Sequence, residues 1–570
     1  MMKNLLQFIF FVSLLLSISS TITALPVAKH FITAKQFGAI PDDGKNDADA
    51  LRAAAAYCRN HSETELTIAP GIYDFADNDA IKIEREAVSG AYGRSSMDVQ
   101  NRLFVPKGPY IKGLDFNGAH NLTIKANGAT LRMQGWYEVI SLVNAHHVTI
   151  EGLAITYKRW PSTVGRIVAS DDVSFEMAID TAKCYYLDSI VTGRVHFFDA
   201  KRELIYFRGV KSMELVNPTT IRMMLNVNKS SNSTQIKPYP AIGDYCILRH
   251  GGHYRPAIMI KESTSVLLKD VKIFSHPGMG VVGHLSKDIT LDDLQVVPEP
   301  GNVISTNTDA THFTSCSGEL VIKNCKFRGN GDDCTNIHNY YYCFYPESPT
   351  KVEIRIEDAD LHALSLDYPQ IGDTMLVLNR KNMQEQGQYV VQKVDTSYAQ
   401  WKVSVTLNKP FNGDAKDYYM TNITRFPNVT IVNNNVNCHM GRGFLVKSKN
   451  VYIARNSIYN TTHTAIKLGA ELSWHESGPA ENVVIEDNYI SGCGYAVAES
   501  EAAAVYTSTE SPETPPCVNR KIIIRRNTIA TDKPFAIVLK DAQNVSILNN
   551  KVSHKDYVHE ENCKDINIIE

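Results

Sequence analysis

The 570-residue sequence has almost no charge excess: 58 Lys and Arg against 61 Asp and Glu leave a formal net charge of −3. It also has no long Lys/Arg run, so the electrostatic footprint of a nucleic-acid binder is missing and no nucleic-acid partner is expected. No P-loop, dinucleotide fingerprint or nucleophilic Ser/His/Asp arrangement occurs in a suitable context, which sets aside nucleotide chemistry and covalent acyl transfer. Cysteine is present, 11 in all, but not as CxxC pairs. Cys316, Cys325, Cys334 and Cys343 are evenly spaced, yet too widely and without the paired His that structural zinc needs. They are expected to face inward as small hydrophobes stacked along a core, with a disulfide or two still compatible with export. No cofactor and no metal are expected.

Beyond the N-terminus no segment is long and apolar enough to span a bilayer. The N-terminus itself has a pattern. Met1 to Asn4 carries one positive charge, Leu5 to Ile18 is almost wholly apolar, and small residues lead to Ala24. That order of charge, apolar run and small residues is that of a secretory signal, residues 1–24. The expectation is export, secreted or periplasmic, with no membrane span after signal removal.

What the sequence has in abundance is one repeated unit, an alternating apolar strand followed by Asn or Asp at a corner. It reads Leu122-Thr-Ile-Lys, Val148-Thr-Ile-Glu, Val266-Leu-Leu-Lys, Ile289-Thr-Leu-Asp and Leu320-Val-Ile-Lys. It continues as Val429-Thr-Ile-Val, Val451-Tyr-Ile-Ala, Val483-Val-Ile-Glu, Ile522-Ile-Ile-Arg and Val545-Ser-Ile-Leu. From Val429 to Val451 is 22 residues, about one coil of a solenoid with three short strands. Strands of successive coils then pair in parallel about 4.8 Å apart, which requires the same in/out alternation in each coil. An inward Asn at a corner stacks its amide on the next and satisfies turn groups that would otherwise be buried unpaired. The leucine framework and helices of leucine-rich repeats are absent. The predicted class is all-β, a right-handed parallel β-helix.

The Ala-rich stretch Ala48 to Cys58 is expected to be a helix capping the open first coil. Two stretches break the rhythm, 162–248 and 348–425, and are read as inserted small antiparallel β-barrel-like modules. The expected organisation is therefore a cap with first coils (25–161), a module (162–248), middle coils (249–347), a second module (348–425) and last coils (426–570). Asn-x-Ser/Thr sequons at Asn60, Asn121, Asn228, Asn232, Asn422, Asn428, Asn460 and Asn544 arise readily from this strand grammar, so glycosylation is left open.

Unusual residues concentrate between His276 and His338. Asp309 lies 23 residues before Asp332 and 24 before Asp333, about one coil. Residues one coil apart share a wall, so three carboxyls should gather within about one strand spacing of each other. Crowded carboxylates repel, and keeping one protonated relieves the repulsion. A protonated acid beside an ionised base is what glycosidic cleavage requires. Calcium binding is the competing use of clustered carboxylates, so a calcium-dependent lyase stays open. His312 and His338 lie close by in sequence.

These motifs carry a resemblance. Asn307-Thr-Asp followed one coil later by Gly331-Asp-Asp-Cys resembles the aspartate framework of polygalacturonases, but the Gly-His-Gly and Arg-Ile-Lys motifs are missing. The corresponding region reads Cys438-His-Met-Gly-Arg-Gly-Phe-Leu-Val-Lys. A fuller match is glycoside hydrolase family 110, the α-1,3-galactosidases, in the pectin-lyase-like β-helix superfamily. The chain resembles it over nearly its whole mature length, both modules included. The resemblance rests on Leu248-Arg-His, His276-Pro-Gly-Met-Gly, Thr308-Asp-Ala-Thr-His-Phe, Gly331-Asp-Asp-Cys-Thr-Asn-Ile-His, Gly441-Arg-Gly-Phe-Leu and Trp474-His-Glu-Ser-Gly-Pro. It implies metal-independent, exo-acting, inverting hydrolysis of terminal α-1,3-linked galactose, with Asp332 as acid and Asp309 with Asp333 as base. Asn336-Ile-His-Asn-Tyr-Tyr-Tyr departs from the expected Asn-Val-His-Gly, and Tyr340 to Tyr342 would shape a different leaving-group subsite.

Sugar sites combine an aromatic platform with oriented polar groups. Candidates to grip substrate are Arg249, His250, His312, His338, Arg442, Lys447, Glu471, Trp474 and Glu476, with His253 and Arg255 nearby. Trp474 is one of only 4 Trp. His276 opens a Pro-Gly turn and reads as structural. The partner expected is a glycan with terminal galactose. The alternatives are another β-helix polysaccharide-cleaving enzyme, polygalacturonase-like or a lyase, and a non-catalytic carbohydrate-binding β-helix.

Overall fold

The computed structural model describes residues 30–92, 109–184, 194–226, 240–250, 254–356, 366–497 and 502–569. The expected signal segment 1–24, His253 and the sequons at Asn228 and Asn232 lie outside the described residues. Among the described residues no helix is long and apolar enough to cross a membrane.

Parallel strands of successive coils build three columns, two in one continuous sheet and a third in its own. The first column holds the repeated units, and their leading residues pair one above another from Leu122 to Val545. Each of these residues is almost completely buried, so the alternation read from the sequence is the alternation of the core wall. A slip of one residue would turn that whole row outward, which is why the register holds across both interruptions.

The corner after the first column is closed by asparagines. Asn434, Asn456, Asn488 and Asn527 each donate amide N–H to the next side-chain carbonyl along the stack at 2.9 to 3.0 Å, and Asn550 is the last acceptor. Their side-chain N–H groups also reach main-chain carbonyls such as Ile322 O and Ile431 O. Buried amides left unpaired would each cost about 1–3 kcal/mol, and the stack leaves none of these side chains unpaired. One coil earlier the backbone N–H of Cys325 donates to Asn434 Oδ1, so a cysteine occupies the corner where the ladder starts.

The cysteines correct one expectation. Cys316, Cys325 and Cys334 do face the core, but they sit at successive corners of a single coil instead of stacking along the axis. Nine-residue spacing is the distance between corners, not between coils. Cys343 leaves the solenoid and opens the first strand of the second module, Cys343–Pro346. All the cysteines are free thiols.

The capping helix, Ala48–Asn60, buries Leu51, Ala54, Ala55 and Cys58 over the first coil. Both insertions are antiparallel. The first is a closed six-stranded barrel whose strands run from Ser162–Ser170 to Tyr245–Arg249. Its core takes in Val303, Ile304 and Cys438 from the solenoid, which seats it on the β-helix. The second is a six-stranded sheet from Cys343–Pro346 to Tyr418–Asn422, bent so that Tyr342 bridges Met420 near its two ends.

Candidate active site

The site lies where the chain turns into the third column. Strand Thr311–Thr314 pairs with Thr335–Tyr340, Thr311 opposite Thr335, and Thr335 pairs with Phe444 of Phe444–Val446. Counting back two residues puts Asp333 over Asp309 and Arg442 over Asp333. The backbone confirms this stacking: Ala310 N–H donates to Asp333 O and Cys334 N–H to Arg442 O, each at 3.0 Å. The offset of 24 residues, not 23, is therefore the true coil here, and Asp332 sits beside the stack.

The three carboxyls have different surroundings. Asp333 is buried, accepts the Arg442 backbone N–H at 2.6 Å and faces its guanidinium at 3.3 Å. Burial raises its carboxyl above the usual range, and Arg442 opposes that rise. Asp309 is also buried, and its Oδ2 lies 2.6 Å from His312 Nδ1. Burial, then the neighbouring charges of Asp333 and Glu476, push Asp309 well above its ordinary value. Asp332 is partly exposed. Desolvation and the repulsion of Asp333 and Asp309 raise it to about 8, so it holds a proton at neutral pH.

Gly441 makes room for this packing. Its φ of +72° suits glycine, and a Cβ there would lie 2.5 Å from Asp333 Oδ1.

Outward-facing residues of the third column meet a loop, 470–477, that folds over them. Lys447 is fully buried and reaches Glu476 Oε2 at 2.5 Å, Glu471 Oε2 at 3.1 Å and Asn336 Oδ1 at 3.1 Å. Asn336 in turn donates to both oxygens of Glu476 at 3.1 and 3.2 Å. Glu471 also pairs with Arg442 and with Lys467. Burial opposes ionisation of Glu471, but Arg442, Lys447 and Lys467 outweigh it and hold the carboxyl well below its ordinary range. Glu476 is likewise resisted by burial but held below its ordinary range, with the Lys447 ammonium 2.5 Å from its Oε2. The roof is thus a lattice of ionised carboxylates and cations, set over three aspartates whose affinity for protons burial raises.

Of the residues expected at the site, Asp309, Asp332, Asp333, His312, His338, Arg442, Lys447, Glu471 and Glu476 come together. Trp474 stands on the same loop, 49% exposed on the turn Leu472–Trp474. Arg249 acts as a clamp: its Nη1 binds Asn307 O at 2.5 Å and Gly331 O at 2.9 Å, the carbonyls that precede the aspartates. His250 is completely buried beside Thr163, and desolvation lowers it to about 3, so it is a neutral packing group. His276 is buried between Tyr157 and Arg255 O, the structural place expected of it. Asn336 and Lys467 were not picked out from sequence. Their signal is register, since each sits on the outward row of the third column with His312 and Leu445.

Among the described residues one trio of metal-type side chains converges, His312, His338 and Glu476, with ligand atoms within 4.8 Å of one another. A cation there would face the ammonium of Lys447, while the Asn336 amide already occupies both Glu476 oxygens. The two His Nε2 atoms lie 2.9 Å apart, the distance of a hydrogen bond. This donor set fits a hydrogen-bonded chain better than a metal cage. An open cleft of about 350 Å³ lined by Lys201, Glu203, Arg328, Asn437, Tyr459 and Asn460 is not lined by any of the three aspartates.

Fold and site together define a parallel β-helix with a carboxylate cluster on one column. The chain is similar in sequence to curated α-1,3-galactosidases. One is α-1,3-galactosidase B of Bacteroides thetaiotaomicron, 25% identical over 81% of this chain and 75% of the relative. Another is α-1,3-galactosidase A of Shewanella woodyi, 24% identical over 96% of this chain and 90% of the relative. No family model matches. Among solved structures, an exopolygalacturonase of Thermotoga maritima aligns over 95% of this chain and 92% of its own, with 11% identity and a TM-score of 0.42.

Proposed function

We propose that this chain is an exported glycoside hydrolase that removes terminal α-1,3-linked galactose from glycans by inverting, metal-independent acid–base catalysis. The observation that carries the reading is the crowding of Asp309, Asp332 and Asp333 in surroundings that push their protons to different strengths. Such separation is how two carboxyls take opposite roles at one pH. Similarity to curated α-1,3-galactosidases across most of the chain supports the substrate class.

In this reading Asp332 is the acid. It faces solvent more than its neighbours and is protonated at neutral pH, so it can give its proton to the departing glycosidic oxygen. Asp333, tied to Arg442, serves with Asp309 to draw a proton from the attacking water. Trp474 offers an apolar face to the sugar ring at the rim. The buried roof of Glu471, Glu476 and Lys447 fixes the wall against which the substrate is oriented.

The test is release of galactose from α-1,3-, α-1,4- and α-1,6-galactobiose by the purified full chain. Turnover of the α-1,3 isomer is expected. Cleavage of polygalacturonate instead, or products that absorb in the ultraviolet and vanish with chelator, would replace the reading by a hydrolase or lyase of acidic polysaccharide. Binding of galactosides with no turnover would replace it by a carbohydrate-binding β-helix.

A further inference from the structure

The chain of rings behind Asp309 has an order of protons that its partners dictate. His338 Nδ1 lies 2.8 Å from the carbonyl oxygen of Asn339. A carbonyl has no hydrogen to give, so Nδ1 carries it. A neutral His338 therefore presents a bare Nε2, 2.9 Å from His312 Nε2, and His312 is the donor. A neutral His312 with its hydrogen on Nε2 then presents a bare Nδ1 to Asp309 Oδ2 at 2.6 Å, and that oxygen carries the proton. Both rings are buried, and desolvation keeps them from charging: His312 is lowered and His338 falls to about 3.

From this geometry we propose that His312 and His338 form a proton relay that sets the charge on Asp309, with Glu476 as its far terminus. The inference rests on the reading of Asp309 as part of the acid–base machinery. In the relay the Asp309 O–H bond breaks as an N–H bond forms on His312 Nδ1. The His312 Nε2–H bond breaks as one forms on His338 Nε2. No electrons change hands and the proton count is unchanged. Asp309 is left a carboxylate able to accept from water, and the positive charge rests on His338.

The terminus is built for that charge. Glu476 Oε1 lies 3.5 Å from His338 Nε2, while Lys447 holds Oε2 at 2.5 Å. The groups facing Asp309 and the rings are the carboxyls of Asp332, Asp333 and Glu476 and the cations of Arg442 and Lys447. Moving the proton away from Asp309 without the relay would put a bare charge beside Asp333. The relay stores the matching cation two side chains away.

Two measurements test it. In His338→Gln the amide oxygen still accepts from His312 Nε2–H but cannot take up a proton. The expected result is a kcat lower by about 100-fold, within the range of general acid–base effects, with KM changed less than about twofold and one limb of the pH profile lost. Full kcat with the wild-type profile would overturn the relay. The second measurement needs no substrate: 15N NMR of the full chain labelled at histidine, with the two signals assigned by His312→Gln and His338→Gln. The result expected near pH 7 is two neutral rings, hydrogen on Nε2 of His312 and on Nδ1 of His338. A doubly protonated His312, or its hydrogen on Nδ1, overturns the proposal. If these tautomers appear and no galactoside is cleaved, the hydrolase reading fails while the proton order stands.

Discussion

Replacing Asp332 by Asn should make the protein inactive and, near neutral pH, more stable. The carboxyl is raised in the folded chain from 3.8 to about 8. Between those values the folded state binds a proton that the unfolded state releases, so this group makes stability fall as pH rises. At about pH 7.5, at 1.36 kcal/mol per pH unit, the interval sets a ceiling of about 5 kcal/mol. Asp332 is partly exposed, and solvent access reduces this to about 2 kcal/mol. At about pH 5 the same reasoning leaves less than about 1 kcal/mol. Asparagine has nearly the same shape, stays neutral at every pH and escapes the penalty. With about 2.1 cal/mol/K of unfolding entropy per residue, a chain of this size has about 1.2 kcal/mol/K, so the gain is about 2 °C in Tm. Scanning calorimetry of both proteins at the two pH values reads it directly. A variant that is less stable at pH 7.5, or that differs from wild type equally at both values, refutes the reasoning.

Asp309→Asn and Asp333→Asn should each reduce turnover by at least about 100-fold while circular dichroism stays that of the wild type; near-normal rates would remove that residue from the chemistry. Lys447→Met strips the ammonium from between Glu471 and Glu476; Glu471 keeps Arg442 and Lys467, but leaving the buried Glu476 carboxylate without a cation should cost about 3–5 kcal/mol in urea unfolding. A loss under about 1 kcal/mol would show that the roof does not depend on this ion. Gly441→Ala forces a Cβ toward Asp333 in a left-handed backbone, and should cost about 1–2 kcal/mol and most of the activity. Unchanged kinetics would mean that the close approach is not needed.

The fold was legible because the β-helix repeats one instruction. The ten strand units read from the sequence all stack in the first column, joined there by His30–Thr33, Thr64–Thr67 and Lys564–Ile569, and the corner asparagines form the ladder they were expected to form. The aspartate cluster was legible for the same reason, since a spacing near one coil places Asp309 and Asp333 on one wall. What lay beyond reach depends on contacts that cross the insertions. Arg442 pairs with Asp333 across 109 residues, because the second module is spliced into the coil between them. The loop carrying Glu471 and Glu476 folds back over the column, a move that no periodicity announces. Arg249 and His250 illustrate the limit in the other direction. As charged and polar residues before the cluster they read alike as substrate contacts, but the structure separates them: Arg249 is part-exposed and holds two main-chain carbonyls, whereas His250 is buried beside Thr163. Sequence indicates which groups are available for chemistry, and burial determines which of them face the solvent.

The most direct measurement is the anomer first released from α-1,3-galactobiose, followed by 1H NMR before mutarotation, with the wild-type chain and with Asp332→Asn. The account predicts β-galactose from the wild type and no release from the variant. Initial α-galactose, or equal release by both proteins, would contradict it.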